Sequence, residues 1–192
     1  VILLPIGIPI GFFTFYILAI LYEFGSRYIK SLKDPLHILS LLIFITTTFA
    51  NIFGLFYFEV YQVGISLLLG VIYLLTWWFV HPGQNQMQKE ANIFTAVFLS
   101  WLSVGTFIFE FNDNLLMTSQ LLFGLSVFIS SSSMFSKFAK EKSHFIFSSL
   151  YLSGVATGAI STVAQLSDSR SLAISLIVLC ALYLVHSVIR QS

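Results

Sequence analysis

Long apolar stretches, separated by short clusters of charged and turn-forming residues, follow one another along the whole chain. A membrane-spanning helix needs about 20 apolar residues, whereas the core of a cleavable signal peptide has only about 7 to 15. Seven stretches have the length of a span: residues 1–22, 36–56, 60–80, 92–111, 115–135, 145–166 and 172–188. They predict an all-α integral membrane protein, a single domain with a bundle of about seven transmembrane helices.

Two of the predicted boundaries lie inside nearly unbroken apolar sequence. The 45 residues from Leu36 to Val80 would form about 67 Å of helix, twice the thickness of the hydrocarbon layer. The chain must therefore turn back, and Glu59 marks the predicted turn. The fourth and fifth spans are joined only by the segment 112–114, Asn-Asp-Asn, whose side chains favour tight turns.

The basic residues fall almost entirely on one side of the predicted bundle. Counted along seven spans, eight of the nine lie on that side: Arg27, Lys30, Lys33, Lys89, Lys137, Lys140, Lys142 and Arg190. The other side has only Arg170. Because lysine and arginine accumulate in short cytoplasmic loops, the pattern predicts that the N-terminus is outside and the C-terminus inside.

The composition agrees with lipid as the solvent and excludes other classes. The chain is 57% hydrophobic and only 9% charged, against about 25% charged in soluble domains, and its mean hydropathy is +0.93. A net charge of +1 without a basic region argues against a nucleic-acid partner. The lone Cys180 cannot form an intrachain disulfide. A start at Val1 rather than Met is compatible with a processed or trimmed piece of a longer protein, and equally with other origins.

All four histidines lie near the predicted inner ends of the spans. They are His37, His81, His144 and His186. Imidazoles at one depth can bind a metal, ligate haem or relay protons, so these four are the candidate metal or haem ligands. The simpler interpretation is that polar side chains sit at span ends because they can reach water there.

Acidic and amide side chains gather at the predicted outer ends. The candidate set is Asn51, Glu59, Gln62, Glu110, Asp113, Gln120 and Asp168, with Asn112, Asn114 and Gln165 nearby. If they converge, they form an acidic outer mouth that attracts cations to a pore or cavity. The alternative, which we favour, is that outer loops avoid lysine and arginine for topological reasons and leave acidic residues by default.

The interiors of the predicted spans carry no charged side chain near their centres, which argues against a proton pump. Gly154 and Gly158 form a small-xxx-small pair typical of close helix packing. Pro5 and Pro9 are expected to kink or partly unwind the start of the first span. No lysine lies in the last span to bind retinal, and the similarity to three-plus-one-plus-three sugar transporters stops at span number and orientation.

Three functions are compatible with this pattern. The first is a small transporter or channel for a cation or small solute, which the acidic mouth favours. The second is a non-catalytic subunit, or an anchoring or sensor module, of a larger membrane complex, and the third is a haem- or metal-binding redox subunit. The expected partners are the lipid bilayer, further copies of the chain or other membrane subunits, and the sequence identifies no cofactor.

Overall fold

The computed structural model describes residues 4–55, 60–132 and 144–191, with side chains for 11–55, 60–132 and 148–188. The regular secondary structure of this part of the chain is entirely helical, with one 3-10 turn at Lys30–Leu32. Its seven α-helices are α1 (Leu4–Tyr28), α2 (Lys33–Gly54), α3 (Val60–Val80), α4 (Gln86–Asn112), α5 (Leu115–Ser132), α6 (His144–Val163) and α7 (Ser169–Gln191). The predicted all-helical architecture is confirmed.

Five of the described helical segments are long and apolar enough to cross a membrane. They are Lys30–Gly54, Val60–Val80, Gln86–Asn112, Leu115–Ser132 and Ser169–Val188. Such a set indicates a multi-pass membrane protein. The remaining predicted spans correspond to α1 and α6, which are helical over 25 and 20 residues.

The helix boundaries have local causes. α2 ends at Gly54 and α3 begins at Val60, so the long apolar run is broken where predicted, although Glu59 itself lies outside the described residues. Between α4 and α5, Asp113 has a positive φ of 46°, as Asn and Asp tolerate in turns. The Asn114 side chain then accepts a hydrogen bond from the Met117 amide at 3.1 Å and caps α5.

One expectation about the first span needs correction. α1 is helical from Leu4 onward, so Pro5 and Pro9 do not unwind its start. α1 also continues to Tyr28, well past the predicted end at residue 22. Glu23, which follows directly after the predicted span 1–22, therefore belongs to the helix and is fully buried.

The chain divides into two compact units, Val1–Asn85 with helices α1 to α3 and Gln86–Ser192 with helices α4 to α7. In the first, which we call unit 1, buried positions on α1 recur every three or four residues at Phe12, Tyr16, Ala19, Glu23 and Ser26. On α2 they recur at Ser40, Phe44, Thr47, Asn51 and Gly54. This heptad-like spacing is that of helices packed side by side, and the buried faces are unusually polar.

The second unit, unit 2, is held together by close approach of helix backbones. A Cβ atom added to Gly154 on α6 would lie 2.6 Å from the Ser130 backbone nitrogen and 2.8 Å from the Ser126 carbonyl oxygen, both on α5. Gly158 faces the same helix, with Ser126 Cβ 3.5 Å from the position of its missing Cβ. The partner of the predicted small-xxx-small surface is therefore a helix of this chain.

Trp101 also links helices in unit 2. Its indole nitrogen on α4 donates to the Leu122 carbonyl oxygen on α5 at 3.3 Å, and the side chain is buried. A membrane-interface role would not explain this placement. The hydrogen bond satisfies the indole N–H inside the bundle, where an unpaired donor would be costly.

We expect Gly154→Ala to destabilise the protein because the new methyl group would meet α5 backbone atoms that cannot rotate away. Overpacking of this kind costs about 1–3 kcal/mol, measured as a lower midpoint of thermal unfolding in detergent. The matched control is Gly124→Ala on α5, where nothing lies within 4 Å of the added Cβ. Equal midpoints for the two variants would contradict the assignment of a tight α5–α6 contact.

Candidate functional site

The candidate site is built around Glu23, whose side chain is fully buried within unit 1. Glu23 lies about two helical turns after Tyr16, which is also fully buried. The two side chains therefore share the face of α1 that packs against the other helices of unit 1. Burying an ionised carboxylate costs several kcal/mol unless charged or hydrogen-bonding partners surround it. The partners of Glu23 therefore decide what this end of unit 1 can do.

His37, in the second turn of α2, is the first partner. Its Nδ1 atom lies 3.1 Å from both carboxylate oxygens of Glu23, so one ring nitrogen faces the middle of the carboxylate. The imidazole stacks against Trp77 with ring centroids 6.2 Å apart. Its side chain is 28% exposed, so one part of the ring reaches the surface of unit 1 while the other contacts the buried carboxylate.

His81, immediately after α3, is the second partner. Its Nε2 atom lies 2.5 Å from Glu23 Oε1. Because His81 precedes Pro82, continuing the helix through it is disfavoured, and α3 ends at Val80. The His81 amide still donates to the Trp77 carbonyl oxygen at 3.0 Å, which fixes the residue at the helix end.

Two hydroxyl groups extend the site toward the interior of the bundle. Tyr73 on α3 interacts with the Glu23 carboxylate. Ser40 on α2 lies 3.1 Å from the Tyr73 hydroxyl and donates to the Ala19 carbonyl oxygen at 2.8 Å. Three helices thus each contribute polar side chains to one connected network, whose only acidic member is Glu23.

The three side chains Glu23, His37 and His81 form a set that can hold a metal ion. One ligand atom from each lies within 4.8 Å of the other two, and the two imidazole centroids are 4.7 Å apart. Without an ion, a facing nitrogen that carries a proton donates it to the carboxylate. The same nitrogens become acceptors for a cation once the proton sits on the opposite ring nitrogen.

The other two predicted histidines belong to unit 2. The helix α6 begins at His144, whose side chain lies outside the described part. His186 on α7 stacks on Tyr151 of α6, with ring centroids 3.6 Å apart and planes tilted by 8°. Of the predicted histidine set, the described side chains that come together are thus His37 and His81. Their role as metal ligands stays a prediction.

Four of the predicted outer residues have hydrogen-bond partners close to them in the structure. Asn51 is fully buried in unit 1 and donates to the Ser66 hydroxyl, and Gln62 donates to the Tyr61 hydroxyl at 3.1 Å. In unit 2, Glu110 and Asp113 are exposed. Glu59 lies outside the described residues.

Gln120 and Asp168 meet at one serine of unit 2. The Gln120 amide donates to the Ser171 hydroxyl at 2.8 Å, and that hydroxyl donates to Asp168 at 2.5 Å. Gln165, nearby and buried, accepts from Ser175 at 2.7 Å. These contacts tie the start of α7 to α5 and to the α6–α7 turn, and a common acidic mouth stays a prediction.

Sequence reasoning missed Glu23, because charges at the edge of an apolar stretch were used to mark the end of the span. The helical spacing of the apolar residues before Glu23 could have identified it as a buried position. Glu23 continues the buried spacing of Phe12, Tyr16 and Ala19 on α1, which places it on the helix face that packs against neighbours.

The chain matches no protein-family model, no curated protein and no solved structure. The class of protein therefore follows from the fold and the site alone. The apolar helices indicate a multi-pass membrane protein, and its site is a buried glutamate between two histidines.

The Asp168 carboxylate caps α7 by accepting hydrogen bonds from the amides of Arg170 and Ser171. This cap makes the stability of the protein depend on pH. The Ser171 hydroxyl, together with the amides of Arg170 and Ser171, holds the pKa of the Asp168 carboxyl below its ordinary value. Because the folded-state pKa lies below the unfolded-state value of about 3.9, the ionised form stabilises the fold. This contribution is present above about pH 4 and is lost as the pH falls through the folded-state pKa.

We expect Asp168→Asn, which keeps a capping side chain but cannot ionise, to lower the unfolding midpoint slightly at pH 6, and we expect this difference from the wild type to be smaller at pH 3. Thermal unfolding in detergent at both pH values measures the difference. Gln120→Ala, which removes a neighbour without removing the titrating group, should shift the midpoint equally at both. A pH-independent difference for Asp168→Asn would contradict the capping role of the carboxylate.

Proposed function

We propose that this protein is a multi-pass membrane transporter for a cation, and that the ion moves along a row of polar side chains inside unit 1. The observation that carries the proposal is this row, which lies between helices that are otherwise apolar. It has two parts. The histidine group is Glu23, His37, Ser40, Tyr73 and His81, and the asparagine group is Tyr16, Thr48, Asn51 and Ser66.

The row covers a large part of the thickness of a membrane. His37 and Asn51 are 14 residues apart on one continuous helix, which corresponds to about 21 Å at 1.5 Å per residue. The hydrocarbon layer is about 30 Å thick. Polar groups are thus available over about two thirds of the distance that an ion must travel.

The asparagine group has capacity for a further ligand. Tyr16 lies 3.0 Å from the Thr48 hydroxyl, and the Asn51 amide nitrogen donates to Ser66. The Oδ1 atom of Asn51 is buried and has no hydrogen-bond partner in the described structure. A buried carbonyl oxygen without a partner is costly inside a membrane, and a passing cation or water molecule would satisfy it.

The chemistry of the row favours a cation. It offers a carboxylate, hydroxyl oxygens, an amide oxygen and imidazole nitrogens, all of which can coordinate positive charge. Its members include no lysine or arginine. An anion would meet the Glu23 carboxylate without a permanent positive charge in the row to offset it.

Phe44 separates the two groups. Its ring stacks on Tyr73 with centroids 4.4 Å apart and lies 6.1 Å from the ring of Tyr16. An ion cannot pass through this aromatic contact unless the side chains or helices move. The proposal is therefore of a transporter with a moving step rather than of an open pore.

For the direction of the chain we propose an outside N-terminus and an inside C-terminus, supported by the one-sided distribution of lysine and arginine. The histidine group then faces the inside, because α1 ends and α2 begins at that end of unit 1. The proposed seven spans include α1 and α6.

Cysteine labelling in intact cells or right-side-out vesicles tests this orientation. In a Cys180→Ser background, a membrane-impermeant thiol reagent should label Ser169→Cys, at the outer start of α7, and should label Gly83→Cys only after the membrane is made permeable. Both positions are exposed in the structure. Labelling of Gly83→Cys alone in sealed vesicles would reverse the proposed orientation.

Transport is tested with the purified chain in liposomes, using indicators for Zn²⁺, K⁺ and protons. We expect at least one cation to move faster than through empty liposomes, and Asn51→Leu to slow it by about tenfold, since one hydrogen bond to a charged group is worth about 1.5 kcal/mol. Thr46→Val is the control, because Thr46 is exposed on the same helix and bonds only its own backbone.

An absence of cation movement, with other membrane subunits co-purifying in fixed ratio, would reject transport by this chain and select the alternative function as a non-catalytic subunit. Equal slowing by Asn51→Leu and Thr46→Val would show that the ion does not follow the polar row.

A further inference from the structure

The ligand atoms of the histidine group come from α1, from α2 and from the residue that follows α3. His37 Nδ1 lies 3.1 Å from each oxygen of Glu23, and His81 Nε2 lies 2.5 Å from Oε1. A tetrahedral ion with bonds of about 2.0–2.1 Å separates its ligand atoms by about 3.3 Å. The three ligand atoms lie within 4.8 Å of one another, so side-chain shifts of at most about 1.5 Å bring each pair to this value.

The donor set is selective. Imidazole nitrogens suit zinc, copper, iron and nickel, whereas calcium and magnesium prefer sites made of oxygen atoms. Two histidines and one glutamate supply three ligands and leave a fourth position for water or a second ligand. Such an incomplete shell suits an ion that must enter and leave.

The three side chains differ in burial, and this difference sets the order in which an ion would contact them. Glu23 is fully buried, while His37 and His81 are 28% and 20% exposed. An ion can therefore contact the imidazoles from the surface of unit 1 before it reaches the carboxylate. A carboxylate that lies where water is excluded attracts a cation more strongly than one in water.

A haem fits this geometry less well than an ion. Two axial histidines must stand on opposite faces of the macrocycle, with the ring plane between them. Here both imidazoles reach the same Glu23 carboxylate, so the carboxylate occupies the space between their facing nitrogens. The site accommodates a single ion without removing Glu23.

The ligands are also held in place before an ion arrives. Trp77 stacks on His37, and the end of α3 at Pro82 fixes the position of His81. Glu23 is carried by a helix that packs against both α2 and α3. Ligands on packed helices lose little freedom on binding, which favours affinity.

We infer that Glu23, His37 and His81 together bind one divalent transition-metal ion of the Zn²⁺ class. The inference rests on the proposed function in so far as it names the cation that unit 1 would transport. Binding itself does not require transport.

The test is a metal titration of the full chain in detergent after treatment with a chelator. Co²⁺ serves as the probe, because its visible absorption reports tetrahedral coordination, and Zn²⁺ should displace it. We expect one ion per chain. His37→Ala and His81→Ala should each weaken binding by at least about tenfold, since even changes to residues behind the ligands cost 10- to 100-fold.

His186→Ala is the matched control, because it removes a half-buried histidine of unit 2 that stacks on Tyr151. It should bind Co²⁺ as the wild type does. No saturable binding by the wild type, or equal binding by all three alanine variants, would overturn the site.

His81→Cys keeps a metal ligand at the same position and covers the case in which the alanine variants fail to fold. Its Co²⁺ complex should show a near-ultraviolet thiolate-to-metal band that the wild type, with its exposed Cys180, lacks. A complex of this variant without that band would also overturn the site.

Binding and transport can fail separately. Metal binding that depends on His37 and His81, together with no flux in liposomes, would support the site and reject transport. Cation flux that is unchanged in His81→Ala, together with no metal binding, would reject the site and leave transport standing.

Discussion

Inside a lipid bilayer a polar group must find its partner within the protein, and the two units meet this constraint differently. In unit 2 most buried hydroxyls turn back to their own helices. Ser126, Ser130, Ser153, Thr157, Ser161 and Thr162 each donate to the carbonyl oxygen four residues earlier. In unit 1, Ser26, Ser66 and Thr76 also donate to their own helices. Other polar side chains there bridge helices, as Ser40 does to Ala19 and Tyr16 to Thr48. Unit 2 therefore uses small polar residues for packing, whereas unit 1 keeps polar atoms available between its helices.

This difference explains where chemistry is possible. A hydroxyl bonded to its own helix leaves a narrow surface, which lets α6 approach α5 at Gly154 to a distance that no Cβ would allow. The helices of unit 1 hold larger groups, including Tyr16, Tyr73 and Glu23, all fully buried. Glu23 imposes the strictest requirement, because a carboxylate without partners would have to take up a proton or draw in water. The two histidines satisfy it, and so the ends of α1, α2 and α3 are bound to one another through one side chain.

Hydropathy and turn-forming residues predicted the helical architecture and the Asp113 turn, because both depend on short segments of sequence. The site depended on information that is not local. The common depth of His37 and His81 was visible, but their meeting required α2 and α3 to pack with the correct rotation, and His186, at a similar predicted depth, stacks on Tyr151 instead. Glu23 lies just beyond the predicted span 1–22, because the apolar stretch ends before α1 does. The first span therefore looked shorter than α1, which runs to Tyr28.

The site as it stands is already satisfied without an ion, and this bears on how a cation would use it. The facing nitrogens of His37 and His81 both bond Glu23, so an ion must replace these hydrogen bonds rather than fill a set of unpaired ligands. Binding is then weaker than the donor set alone would give, because part of the interaction energy is spent in breaking them. A transport site requires such a balance, since the ion must be held strongly enough to enter and weakly enough to leave. Once such an ion left, the two histidines could again hydrogen-bond Glu23, so the buried carboxylate would have partners in both states.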